Sequence, residues 1–160
     1  MARESRELLL VVTMFVLAGL LVVLVSWSRS PSLSPDRASW RLTPGVANPE
    51  VTQETISSTI CVSGWSSSIR PDSSYTDALK VEQMREYVRS GSPSDFQEDH
   101  LISLELGGDP TDPRNLWPEP RARAEEVDGT ENDLHAAICS GRMTLAEAQR
   151  RISQIKHTAG

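Results

Sequence analysis

The sequence predicts an α+β chain in which an N-terminal transmembrane helix and a tether precede a mostly helical domain containing one β-hairpin. Three observations carry this expectation. Residues 8–27 (LLLVVTMFVLAGLLVVLVSW) hold no charge, and Thr13 and Ser26 are their only polar side chains. Residues 98–106 (EDHLISLEL) alternate in part and stop at Gly107-Gly108, and Asn115-Leu116-Trp117 returns before Pro118. Helical patterns flank that hairpin on both sides.

Twenty residues at about 1.5 Å rise span roughly 30 Å, the depth of a bilayer core. A cleaved signal would have an apolar run of about 7–15 residues and a small-residue cleavage site. The stretch from Leu8 to Trp27 is longer, and Ser26-Trp27-Ser28-Arg29 matches such a site poorly. The expectation is a membrane-anchored chain with its domain outside the cytoplasm; the alternative is secretion after cleavage. Arg3 and Arg6 precede the segment and Arg29, Arg37 and Arg41 follow it, so loop charge does not fix its orientation. The only cysteines are Cys61 and Cys139. On an exported chain they suggest one disulfide tying the first helix to the helix after the hairpin; two buried free thiols are the alternative.

Residues 1–7 form a short lead, and residues 28–47, rich in Ser, Pro and Arg, read as a flexible linker. The domain is expected over residues 48–157. Asn48-Pro49-Glu50 has the cap, first-turn proline and acid of a helix start, with Val51, Ile56 and Ile60 facing a core and Cys61 at its end. A second helix is expected over residues 74–88, stopped by Gly91-Ser92-Pro93. A third runs from about Ala122 to Cys139, with a break expected at Gly129, and Gly141 suits a C′ position. Thr144 and Glu147 form a capping box for a last helix with Leu145, Ala148, Ile152 and Ile155 inward.

Net charge is −6, and only Lys80 and Lys156 of the sixteen basic residues are lysine. Bulk charge does not advertise nucleic-acid binding. The chemistry concentrates at Asp99-His100, before the Gly-Gly turn. A histidine beside a hairpin can take a proton from water near neutral pH. Its neighbour Asp99 points to the other face of an ideal strand, so both serve one site only where the strand ends or bends. Asn115 can hold the loop through its backbone. Asn132 and His135 share a helix face at i, i+3, so either can meet Asp99 at a metal. Arg114, Arg121 and Arg123 flank the hairpin and can contact phosphates or stay solvated. His157, near the terminus, carries no expectation.

Asp-His, then Leu-x-x-Gly-Gly, then Asn-Leu, then a ligand-bearing helix resembles the ββα-metal finger of HNH endonucleases. The longer run EDHLISLELGGDPTDPRNLWPEP is similar to a group of small bacterial HNH-like proteins. The resemblance implies a metal-dependent nuclease acting on DNA or RNA. It implies His100 as general base, Asn115 as the loop brace, Asp99 as first metal ligand and His135 or Asn132 as the last. The implied cofactor is a divalent ion, Mg, Mn, Ni or Zn. Two departures stand out: the last ligand lies farther from Asn115 than in compact fingers, and the zinc-knuckle cysteine pairs of many HNH proteins are missing. The second functional expectation is a non-catalytic envelope protein that uses the finger as a partner-binding scaffold.

Overall fold

The computed structural model describes residues 36–158. Its regular elements are four helices and one hairpin: α1 (Trp65–Ser68), α2 (Ser73–Glu86), β1 (Phe96–His100), β2 (Leu116–Pro120), α3 (Arg121–Cys139) and α4 (Leu145–His157). No helix among the described residues is long and apolar enough to cross a membrane. The expected fold class is corrected accordingly: the described residues form an α+β fold that contains no membrane-spanning helix. The helix expected over residues 8–27 lies outside the described residues.

β1 and β2 pair antiparallel, with Asp99 opposite Trp117 and His100 opposite Leu116. Pro118 and Pro120 in β2 lack N–H groups and cannot donate to a third strand at those positions. The loop between the strands is held by two 3-10 turns, Leu104–Leu106 and Pro113–Asn115.

α2 is capped by the Asp72 carboxylate, which accepts from Ser74 N at 2.7 Å. It ends at Glu86, before the expected Val88, which adopts a left-handed φ of 53° and is exposed. α3 runs unbroken through Gly129, where a side chain would meet nothing within 4 Å. A solvent-facing glycine weakens a helix by only about 1 kcal/mol, and burial of Ala124, Val127, Leu134 and Ile138 offsets that. Gly141 ends it with a φ of +72°, a conformation glycine adopts without steric cost. Thr144 accepts from Glu147 N at 3.2 Å and starts α4.

The helix expected from Asn48 to Cys61 is not formed. Asn48 Oδ1 accepts from Glu50 N and closes a turn, and Thr55 Oγ1 accepts from Thr52 N and donates to Glu50 O. Hydroxyl and amide side chains here bond the local backbone and replace helical bonds. Only Ile56–Ser58 winds into a 3-10 turn, yet Val51 and Ile60 still reach the core.

The main core joins Val51, Ile60, Ile102, Leu106, Val127, Leu134, Ile138, Leu145, Ala148 and Ile152. A second cluster joins Ala38, Tyr87, Leu101 and Trp117. Its member Ala38 shows that the described end of the linker is packed rather than flexible. Ala38 N donates to Lys156 O, Tyr87 Oη donates to Thr43 Oγ1, and Asp109 N donates to Val46 O. An irregular, turn-containing segment fixed through its backbone leaves no helical or strand period in the sequence, which is why it reads as a tether.

Candidate functional site

The site is built on the loop that follows His100. Asn115 is fully buried, and its Oδ1 accepts from Ile102 N at 3.0 Å and Val46 N at 3.3 Å. Its Nδ2 donates to Ile102 O at 3.1 Å and Asp109 O at 2.9 Å. One amide therefore satisfies four backbone groups from three segments. Gly108 lets it do so, because a Cβ there would sit 1.7 Å from Ile102 O and 2.7 Å from Asn115 Nδ2. Gly107, at φ +76°, makes the left-handed step before it.

His100 is buried at the end of β1, and its Nε2 lies 3.0 Å from Pro110 O. A carbonyl only accepts, so Nε2 carries the proton and Nδ1 keeps the lone pair. No described residue bonds Nδ1. Burial lowers the pKa of the ring; Arg70 and Lys156 lower it further, against Pro110 O and Asp99. His100 is thus neutral near pH 7, with a basic nitrogen available.

Successive strand residues alternate faces, and Asp99 has different partners. Its carboxylate ion-pairs with Lys156 of α4. Lys156 Nζ also lies 2.8 Å from Glu131 Oε1 and 3.5 Å from Glu119 Oε2, and it donates to His100 O at 2.8 Å. An interior of low polarity does not tolerate three carboxylate charges around one ammonium. Burial pushes Glu119 up to about 9 and Glu131 up to about 7, against the pull of Lys156 in both. Burial acts on Asp99 in the same sense, but Lys156 outweighs it and holds Asp99 below the usual carboxylate range. The three carboxylates hold Lys156 above its ordinary value despite its burial. Near pH 7 the cluster is a charged Asp99–Lys156 pair, with Glu119 and Glu131 held toward their protonated forms. Nearby Glu98 is raised to about 8 by burial.

The structure does not bring Asn132 or His135 to Asp99. Asn132 Nδ2 bonds Asp128 O, and His135 Nε2 lies 2.8 Å from Ile60 O. The residues thus do not fit a metal ion held by Asp99 and either His135 or Asn132. The helix residue that shares a cation with Asp99 is Glu131, and that cation is the Lys156 ammonium. Glu131 and Lys156 escape a sequence reading because charge on a helix usually marks the solvated face. Their spacing was nonetheless readable: Glu131 continues the stripe of Ala124, Val127, Leu134 and Ile138, and Lys156 that of Ala148 and Ile152.

A groove of about 310 Å³ opens beside this cluster, lined by Ser66, Arg70, Ser103, Glu105, Asp128, Glu131 and Asn132 among others. Arg114 and Arg121 do not line it. Arg114 chelates Asp112, and Arg121 donates to Ser94 O. Arg123 pairs with Glu126 and donates to Ile155 O. His157, far from idle, is buried, stacks on Trp40 at 3.5 Å and lies 2.9 Å from Thr43 O. Cys61 and Cys139 are joined at a Cα separation of 5.6 Å, linking the turn-rich segment, rather than a first helix, to the end of α3. No family model, curated protein or solved structure matches the chain.

Proposed function

We propose that the domain hydrolyses phosphodiester bonds of nucleic acid with His100 as general base, in line with the resemblance to HNH endonucleases. The observation that carries this reading is the state of His100. It is neutral, its tautomer is set by Pro110 O, and Nδ1 holds an unshared lone pair. Such a group takes a proton from a water as that water attacks phosphorus. Asn115 fixes the loop that bears Pro110, so the ring is oriented before substrate arrives. Arg70 lines the groove and its charge reaches His100, which itself lies outside the groove lining, so Arg70 is the cation available to meet a phosphate oxygen there. The ligands expected for a metal ion do not converge on Asp99, whose cation is Lys156.

The second reading is a partner-binding scaffold without catalysis. It is favoured by the acidic wall of Glu105, Asp128 and Glu131 in the same groove, which repels a polyanion. Incubation of the full chain with plasmid and single-stranded DNA or RNA, with Mg, Mn, Ni or Zn ions each in turn, separates the two. Cleavage that His100→Ala abolishes supports hydrolysis. Intact substrate under every condition supports the scaffold.

A further inference from the structure

Three donor groups at the end of α3 belong to neither reading. Cys61, His135 and Cys139 each offer a ligand atom, and those atoms lie within 4.8 Å of one another. His135 and Cys139 are i, i+4 on one helix face, with Nε2 3.4 Å from Sγ. We propose that reduction of the Cys61–Cys139 bond creates a zinc-class metal site of two thiolates and the His135 imidazole, which the disulfide form closes.

Two further observations point to a ligand there. Glu105 Oε2 lies 4.0 Å from Nδ1, the ring nitrogen away from the sulfurs. That separation is longer than a hydrogen bond, and a carboxylate that closes it on the far nitrogen of a histidine favours the tautomer that turns the other nitrogen's lone pair to a metal. In the oxidised chain Nε2 instead lies against Ile60 O and carries the proton. Metal binding moves that proton to Nδ1, toward Glu105. Beside these groups is a cavity of about 440 Å³ lined by Ser63, Gly64, Glu105 and His135, with room for a water as fourth ligand. Two sulfurs, one imidazole nitrogen and an open position make a donor set that suits tetrahedral zinc.

The redox step balances with a small thiol as reductant. Two thiol molecules give up two electrons and two protons, leave as their disulfide, and Cys61 and Cys139 become thiols. Each thiol loses its proton when it binds the ion. In reverse, a small disulfide accepts the two electrons, the protein bond reforms and the ion is released.

The test does not depend on nuclease activity. The full chain is reduced with a phosphine, which takes oxygen from water and leaves two thiols, and is titrated with cobalt(II). The expected result is one cobalt per chain, with a thiolate-to-cobalt charge-transfer band and tetrahedral visible bands that zinc displaces. The oxidised chain gives neither. Glu105→Gln weakens binding by about 10–100-fold, and His135→Ala weakens it more and alters the visible bands. Should reduction unfold the chain, cobalt must restore its native circular dichroism as the band appears. A reduced, folded chain without the band, an unfolded one that cobalt does not rescue, or His135→Ala with wild-type affinity and spectrum overturns the proposal.

Discussion

Lys156 and Asp99 form an ion pair that joins the last turn of α4 to the strand carrying His100. The same ammonium donates to His100 O, so the pair also fixes the backbone at the base itself. Removing one member of a buried pair leaves an uncompensated charge, at a cost of about 3–5 kcal/mol. Lys156→Met is expected to lower stability by that amount in urea unfolding. Adding Asp99→Asn should recover part of the loss, because the stranded carboxylate is gone. Additive effects of the two changes would show that the residues are not coupled.

Asn115 and Gly108 act as one device. Asn115→Ala strands the buried N–H and C=O of Ile102 and the part-buried Val46 N and Asp109 O, each buried group at about 1–3 kcal/mol before water enters. A net loss of about 3 kcal/mol or more is expected. Gly108→Ala should match it, since the new methyl displaces Ile102 O. Hydrogen exchange at Ile102 N, which Asn115 Oδ1 accepts, should accelerate in both variants. Arg114→Ala, on an exposed side chain, should stay within about 0.5 kcal/mol of wild type. Slow exchange at Ile102 in Asn115→Ala would contradict this account.

The parts of the fold with local causes were legible. The existence of the hairpin, of α3 with its glycine stop and of α4 with its threonine cap follows from period, turn and cap residues, but the first strand is Phe96–His100 and not residues 98–106, since Leu104–Leu106 winds into a 3-10 turn. Asn48 misleads because an amide that can cap a helix can equally close a turn, and here it closes the turn. Ala38 and Thr43 were missed because their burial depends on Tyr87 and Lys156, some 44 and 118 residues away in the chain. Within the site, Asp99 and His100 can be picked out from the sequence, but ligand chemistry singles out His135 or Asn132 and leaves Glu131 unnoticed. The apolar stripe on α3, which decides what faces inward, favours Glu131.

Stability should fall between pH 7 and 9. Glu98, Glu119 and Glu131 have folded values raised to about 8, 9 and 7. Each binds a proton in the folded state that the unfolded chain has already released, so stability drops as pH rises toward those values. His100 and His157 act oppositely, because their lowered values remove stability as pH falls below about 6.5. Above pH 7 that opposing contribution is already complete. The thermal midpoint at pH 9 should therefore lie below that at pH 7, and Glu98→Gln should narrow the gap. Equal midpoints would mean that the three acids are ionised in the fold.

The pH dependence of cleavage tests the base directly. His100 must be neutral to act, so kcat/KM should decline as pH falls through its folded value, which burial holds below the ordinary 6.5. Loss of the base should cost about 10²–10⁴-fold. His100→Ala removes the ring but also strands Pro110 O. His100→Gln separates these effects, because its amide can still donate to Pro110 O yet cannot accept a proton from water. It should keep near-native stability and lose both cleavage and the acid limb of the profile. His135→Ala, assayed in the oxidised chain, should cleave at the wild-type rate, since His135 meets Ile60 O and not Asp99. Wild-type cleavage by His100→Gln would remove His100 from the mechanism. Loss of cleavage in oxidised His135→Ala would restore His135 to the site where the sequence placed it.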